Sequence, residues 1–222
     1  MLSDLLYEFG RAVIQSYAHL MMKMDVRWRT ALPSGPVLFA ANHPSTTDPF
    51  LIHLITRKPM SVMITSKAFS IPLLGAYMRK IGHICVSTGQ GENVLEQARQ
   101  TLKRGRSVTI FPEGLISPAG GGFNPPRSGV GRLAISSEVP VIPIGISLKD
   151  EGCHRIQGTF EGEPDIMTWY LHGPYAITIG KPMHFKGDAN DKDFVKTVSE
   201  SIMQKIRSLA QDSQARMGKS WL

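Results

Sequence analysis

The chain reads as a single-domain α/β sandwich: a central mixed, mostly parallel sheet covered by helices and preceded by an amphipathic N-terminal helix. Three observations predict this class. From Pro33 onward, short apolar runs alternate with helix-patterned segments. Runs such as Val37-Leu38-Phe39-Ala40-Ala41 and Val141-Ile142-Pro143-Ile144 are apolar at consecutive positions, as strands covered on both faces are. Finally, 222 residues at 42% hydrophobic and 19% charged content can bury a full core, which excludes disorder, collagen and a disulfide-stapled miniprotein.

Taken in order, Leu2, Leu5, Leu6, Phe9, Val13, Tyr17, Leu20 and Met24 recur every three or four positions and predict a helix over 2–24, with Arg11 and Lys23 off the apolar face. That face can cap the core or lie in a membrane interface, and Arg27-Trp28-Arg29 behind it suits the interface. Asp4, Glu8 and Arg11 interrupt any secretory apolar stretch, and no run of about 18 apolar residues occurs, so no transmembrane span is expected. Strands are predicted at 37–41, 61–65, 84–86, 107–111 and 141–147, with helices at 48–56, 71–80, 92–104 and 129–137 between them. Pro143 and Gly145 inside the last of these strands suggest a bulge. Beyond Lys149 the pattern weakens into a Gly-containing stretch, then a strand at 176–179 and a closing helix over 191–210. The expected organisation is a membrane-surface helix and lead-in over 1–30, one domain over 31–212 and a polar tail over 213–222. The segment 119–126, with three glycines and two prolines, reads as a long irregular connection of the kind used for lids and binding loops.

With 25 Lys and Arg against 18 Asp and Glu, the formal charge is +7, which suits an anionic partner. Cys85 and Cys153 form no CxxC pair, so neither a disulfide framework nor a cysteine zinc site is expected, and a reducing cytosol is compatible.

Polar chemistry on such a sheet belongs at strand ends. The stretch Ala41-Asn42-His43-Pro44-Ser45-Thr46-Thr47-Asp48-Pro49 places a His just past an apolar strand and opens the next helix with Asp-Pro, where the Asp is suited to cap free amides. With 7 His and 9 Asp, this spacing arises by chance about 0.3 times per chain, so position rather than spacing carries the reading. In one loop, a carboxylate can hold one imidazole nitrogen while the other takes a proton from a hydroxyl. Phe111-Pro112-Glu113-Gly114 lies at a second strand end, where a carboxylate could bind hydroxyls and Gly114 lets a ligand approach the backbone. His83, flanking a strand, reads as structural, and Glu92, Glu96, Arg99, Lys103, Arg104 and Arg106 read as a solvated helix face. The remaining histidines lack metal-ligand spacing, and no metal is expected.

Together, His43 with Asp48, Phe111-Pro112-Glu113-Gly114 and Val141-Ile142-Pro143-Ile144 resemble the glycerolipid acyltransferase family, which includes the 1-acylglycerol-3-phosphate acyltransferases. The resemblance covers roughly Pro33 to Leu148. It implies transfer of a fatty acyl group from acyl-CoA or acyl carrier protein to a lipid hydroxyl, with His43 as general base and Asp48 as its orienter. It further implies Glu113 and Gly114 in the acceptor pocket, Lys67 as a positive contact to phosphate or the developing oxyanion, and Arg127 at a later basic position. No cofactor is implied beyond the thioester co-substrate. The implied partners are a membrane lipid acceptor and an anionic membrane surface, at the cytoplasmic face, with peripheral or monotopic attachment. Two positions depart from the family. Thr88 and Ile116, the latter preceded by Leu115, stand where the family usually carries arginines, which leaves a non-phosphorylated hydroxyl acceptor open.

Rival classes fare worse. No Gly-x-Ser-x-Gly elbow, phosphate-binding loop or dinucleotide fingerprint occurs. Aromatic and basic residues do not interleave as in nucleic-acid binders, so no nucleic-acid partner is expected. A noncatalytic lipid-binding protein of the same fold is the third class.

Overall fold

A computed structural model describes residues 2–160 and 163–217. Helix α1 (Leu2–Met21) runs directly into β1 (Met22–Trp28), followed by β2 (Leu38–Ala41), the short α2 (Asp48–Leu51) with a 3-10 turn (Ile52–Ile55), and β3 (Met60–Thr65). Then come α3 (Ser66–Phe69), α4 (Leu74–Lys80), β4 (Ile84–Val86), α5 (Gly91–Lys103), β5 (Ser107–Ile110), α6 (Gly129–Ser137) and β6 (Val141–Leu148). A hairpin of β7 (Cys153–Phe160) and β8 (Glu163–Tyr170), then β9 (Gly173–Ile179) and α7 (Lys192–Met217), complete the described chain.

Seven strands form one sheet in the order β1-β9-β6-β2-β5-β3-β4, and β6 with β9 is its antiparallel pair. The expected class, α/β with a mixed and mostly parallel sheet, is the one found. Strand β2 shows why its run is apolar throughout. Leu38 and Ala40 pack toward α5, α6 and α7, among Val94, Leu102, Leu133 and Ile202, while Phe39 and Ala41 pack toward Leu51, Ile52 and Tyr175. All four are fully buried. Because alternate side chains point to opposite faces, a strand roofed on both sides has no polar position to spare.

Several boundaries differ from the sequence reading. Residues 22–28 are no lead-in: they pair in parallel with β9, from Met22 opposite Gly173 to Trp28 opposite Ile179, and close one edge of the sheet. The tail expected from 213 is helical to Met217, because Ser213 and Met217 are buried and Arg216 reaches Asp25 of β1 at 2.7 Å. Gly145 marks no bulge, since β6 pairs without interruption with β2 and then β9. It is small because α7 crosses there: a β-carbon would lie 2.0 Å from the Ala210 nitrogen. The weak stretch after Lys149 holds the β7–β8 hairpin. Arg106 leaves the solvated face of α5 and donates to the Met60 and Ile81 carbonyls, at 3.1 and 2.6 Å.

Helix α1 divides its apolar residues between two faces. Tyr7 and Ala18 are buried, with Ile14 and Tyr17 packed beside the core, whereas Leu2, Leu5, Phe9, Val13 and Leu20 stay exposed, Phe9 at 68%. Among the described residues, no helix is long and apolar enough to cross a membrane.

Candidate active site

Strands β2 and β5 are parallel neighbours, Leu38 opposite Val108 and Ala40 opposite Ile110, so the loops after their carboxyl ends emerge side by side. One loop carries His43 and the other Glu113. Asn42 opens the first loop by imitating a strand residue: its side-chain amide donates to the Ile146 carbonyl at 2.9 Å and accepts from the Ile146 amide at 2.7 Å. These bonds hold β2 to β6 one step beyond its last ladder position and fix the chain that leads into His43.

Asp48 is fully buried, and its carboxylate accepts four hydrogen bonds. Oδ2 accepts from His43 Nδ1 at 3.0 Å and from the Ser45 amide at 2.8 Å. Oδ1 takes the Ser45 hydroxyl at 2.8 Å and the Tyr175 hydroxyl at 2.7 Å. Asp48 begins α2 as expected, yet its carboxylate turns back to Ser45 rather than capping the helix amides. Since a carboxylate only accepts, Nδ1 carries the proton and Nε2 keeps a lone pair. The ring lies stacked on Phe111, with centroids 4.2 Å apart and planes 22° apart, and its side chain is 16% exposed. The imidazole therefore has one nitrogen tied, one face covered and a free basic nitrogen at a cleft.

Glu113 is buried and absent from the cleft wall, and its Oε1 accepts from the His43 amide at 3.2 Å and the Ser117 hydroxyl at 2.6 Å. Its Oε2 accepts from the Asn124 amide at 2.7 Å. The Ser117 amide returns a bond to the His43 carbonyl at 2.8 Å. Glu113 thus joins the two loops under the imidazole and gathers the glycine-rich segment through Asn124. Gly114 adopts φ +65° and lines the cleft, and a β-carbon there would lie 2.5 Å from Arg127 Nε. That backbone conformation favours glycine. Arg127, anchored by its amide to the Pro112 carbonyl at 2.8 Å, and Lys67 on α3 line the same cleft as His43.

The cleft has a volume of about 2040 Å³ and a wall more apolar than polar, including Phe50, Met63, Ile64, Leu74 and Leu95. Leu115, Ile116 and Thr88 also line it. His83 does not: buried, it accepts the Val62 amide on Nδ1 at 3.2 Å, as its structural reading expects. Among the described residues no group of three His, Cys, Asp or Glu could hold a metal ion.

Sequence reasoning missed two contributions from the carboxyl-terminal third. Tyr175 of β9 is buried against Asp48, and burial followed by the Asp48 charge and hydrogen bond raises its phenol well above the ordinary value, so it stays a donor. Strand β8 is held by the residues between His43 and Asp48. The Thr46 amide donates to the Thr168 carbonyl at 2.7 Å, the Thr168 amide to Thr46 Oγ1 at 3.0 Å, and the Tyr170 amide to Thr47 Oγ1 at 3.1 Å. The two threonines in the sequence were the signal, since side-chain oxygens beside a strand end serve passing backbone amides.

The family model described as Acyltransferase matches residues 23–147. A lyso-ornithine lipid O-acyltransferase of Pseudomonas aeruginosa is 30% identical over 152 residues, which is 66% of this chain and 57% of that protein. A 1-acyl-sn-glycerol-3-phosphate acyltransferase of Neisseria meningitidis serogroup B is 24% identical over 212 residues, 91% of this chain and 82% of that one. In fold, the chain is similar to the crystal structure of the 1-acyl-sn-glycerophosphate acyltransferase PlsC from Thermotoga maritima, with a TM-score of 0.63 at 21% identity over 93% of this chain and 79% of that one.

Proposed function

The chain belongs to the acyltransferase family, and from that premise we propose that it moves a fatty acyl group from an acyl-CoA or acyl carrier protein thioester to the hydroxyl of a lysophospholipid or related lipid. The observation that carries the reading is the His43 Nδ1 to Asp48 contact of 3.0 Å, set at the edge of a cleft roomy enough for an acyl chain. Nε2 of His43 takes the proton of the acceptor hydroxyl as its oxygen attacks the thioester carbonyl. The tetrahedral intermediate bears a negative oxygen, for which Lys67 and backbone amides are the candidate partners. Its collapse breaks the carbon–sulfur bond, and the departing thiolate recovers the proton from the imidazolium. Asp48 stabilises that imidazolium while its other three hydrogen bonds keep it in place. The reaction as written consumes no cofactor.

The membrane is the source of the acceptor in this reading, and the exposed apolar residues of α1 support attachment at its surface. A second acceptor class has specific support. Leu115 and Ile116 line the cleft beside Gly114 and offer no charge to a phosphate, and the Pseudomonas relative is named for a lyso-ornithine lipid. Incubating the protein with acyl donor and a mixed pool of phosphorylated and uncharged hydroxylated lipids, with products read by mass spectrometry, tests both. Acyl ester on either class, with free thiol released in equal amount and lost in His43→Ala, is the expected result. Lipid binding without ester formation on any acceptor would instead make this a noncatalytic lipid-binding protein.

A further inference from the structure

The link between α3 and α4 is a strained turn that holds a leucine out in solvent. Leu73 has φ +65° and ψ −50°, and the Leu74 amide donates to the Pro72 carbonyl at 2.7 Å, which defines a γ-turn of the rare positive-φ kind. Glycine would hold this turn without strain. Leu73 is 87% exposed and Ile71, two residues earlier, is 50% exposed. A strained backbone that presents an apolar side chain to water points to a use outside the fold.

Its surroundings indicate what that use is. Ile71 and Leu74 line the same cleft as His43, so the turn stands at the cleft's edge. Helix α4, which starts at this turn, is fastened to α1: Tyr77 donates to the Leu6 carbonyl at 3.1 Å, and Gly10 leaves room for the tyrosine, since a β-carbon there would lie 1.7 Å from its hydroxyl. At about 100° per residue, the exposed Leu2, Leu5, Phe9 and Val13 fall on the flank of α1 next to the Leu6 and Gly10 edge. The apolar flank of α1 therefore borders the helix that carries the turn. Lys67 and Lys80 lie on the two helices that flank it.

We infer that the Ile71–Leu74 turn is a second membrane-contact point, inserting Leu73 and Ile71 into the bilayer beside the flank of α1 and setting the cleft opening against the lipid surface. This rests on the lipid-acceptor reading of the cleft. Helix α1 alone would leave the molecule free to roll about its axis. A second contact beside the cleft fixes which side faces the lipid and shortens the path of a lipid hydroxyl to His43.

The test is flotation of the intact chain with vesicles of phosphatidylethanolamine and phosphatidylglycerol, comparing wild type, Leu73→Gly and Phe9→Ser. Leu73→Gly relieves the turn, so its melting temperature should hold or rise while its vesicle partitioning falls about tenfold, the value of burying one leucine. Turnover on vesicles should fall with it, and turnover on detergent-dispersed acceptor should stay at the wild-type level. Partitioning lost in Phe9→Ser but kept in Leu73→Gly would overturn the turn's role and leave the lipid reading standing. Equal loss of turnover on vesicles and in detergent would place Leu73 inside the site and overturn it too. A changed sedimentation of the lipid-free protein would assign the leucine to a protein contact, and failure of the wild type to float would remove the membrane contact altogether.

Discussion

Two groups of imidazoles, in neighbouring parts of the molecule, have opposite fates. His43 meets a carboxylate on Nδ1 and opens onto a cleft. His53 and His83 stack on each other with centroids 5.0 Å apart beneath α1, and they meet a tyrosine and a backbone amide instead. Tyr7 accepts the Met60 amide at 3.1 Å, and its hydroxyl shares a hydrogen bond of 3.0 Å with His53 Nδ1. Burial, then the charges of Arg106 and Arg11, hold His53 down at about 4, and burial, then His53 and Arg106, hold His83 down at about 2. The same ring thus binds a carboxylate at a cleft in one place, and is held neutral by burial and nearby positive charge in the other.

Truncating one ring from each group separates the two environments. His43→Ala should lower turnover by about 10²- to 10⁴-fold with little change in melting temperature. His53→Ala should do the reverse, costing about 3 kcal/mol in urea denaturation while turnover per folded molecule stays within about threefold. If both variants lost activity in proportion to stability, His43 would be no more than a packing residue.

Acid titration sharpens the same contrast with a somewhat smaller effect. The unfolded chain binds a proton at His53 near pH 6.5, while the folded chain resists until about 4. Stability contributed by the neutral ring is therefore complete above about pH 6.5 and declines as pH falls toward 4, by about 3 kcal/mol in all. His53→Gln should make that part of the stability curve shallower without levelling it, because His83 resists protonation over the same range, and an unaltered slope would locate the acid sensitivity elsewhere.

A smaller change concerns the support of the His43 ring. Tyr175→Phe keeps the aromatic packing and removes one donor from Asp48, so kcat should fall about tenfold. Tyr170→Phe, whose hydroxyl donates to the Pro174 carbonyl at 2.8 Å, is the control and should leave kcat in place. Equal kcat for the two variants would show the Tyr175 hydroxyl to be idle.

Much of this was legible in the chain. Continuous apolar runs identified five strands that lie in the large sheet to within a residue or two, because burial on both faces leaves a composition that no other environment requires. His43 and Asp48 could be paired because only four residues separate them, and a strand end followed by a helix start confines such a span to one loop. Strand β1 escaped because Met22 to Trp28 sits at a sheet edge, where Lys23, Asp25 and Arg27 break the apolar pattern and blur it into the helix before it. The β7–β8 hairpin escaped because neither strand belongs to the large sheet, so no shared core imposed a pattern on both.

The order of residues settled which strands lie inside and that one loop brings His43 to Asp48, since local spacing and burial leave their mark on neighbouring positions. It could not settle what surrounds those groups. Tyr175 reaches Asp48 across 127 positions, Glu113 turns away from the cleft to hold the His43 amide across 70, and the two apolar flanks of α1 divide according to what α4 and the sheet present to them. Contacts of that range depend on how the strands are ordered and how closely helices approach, and no local periodicity records either.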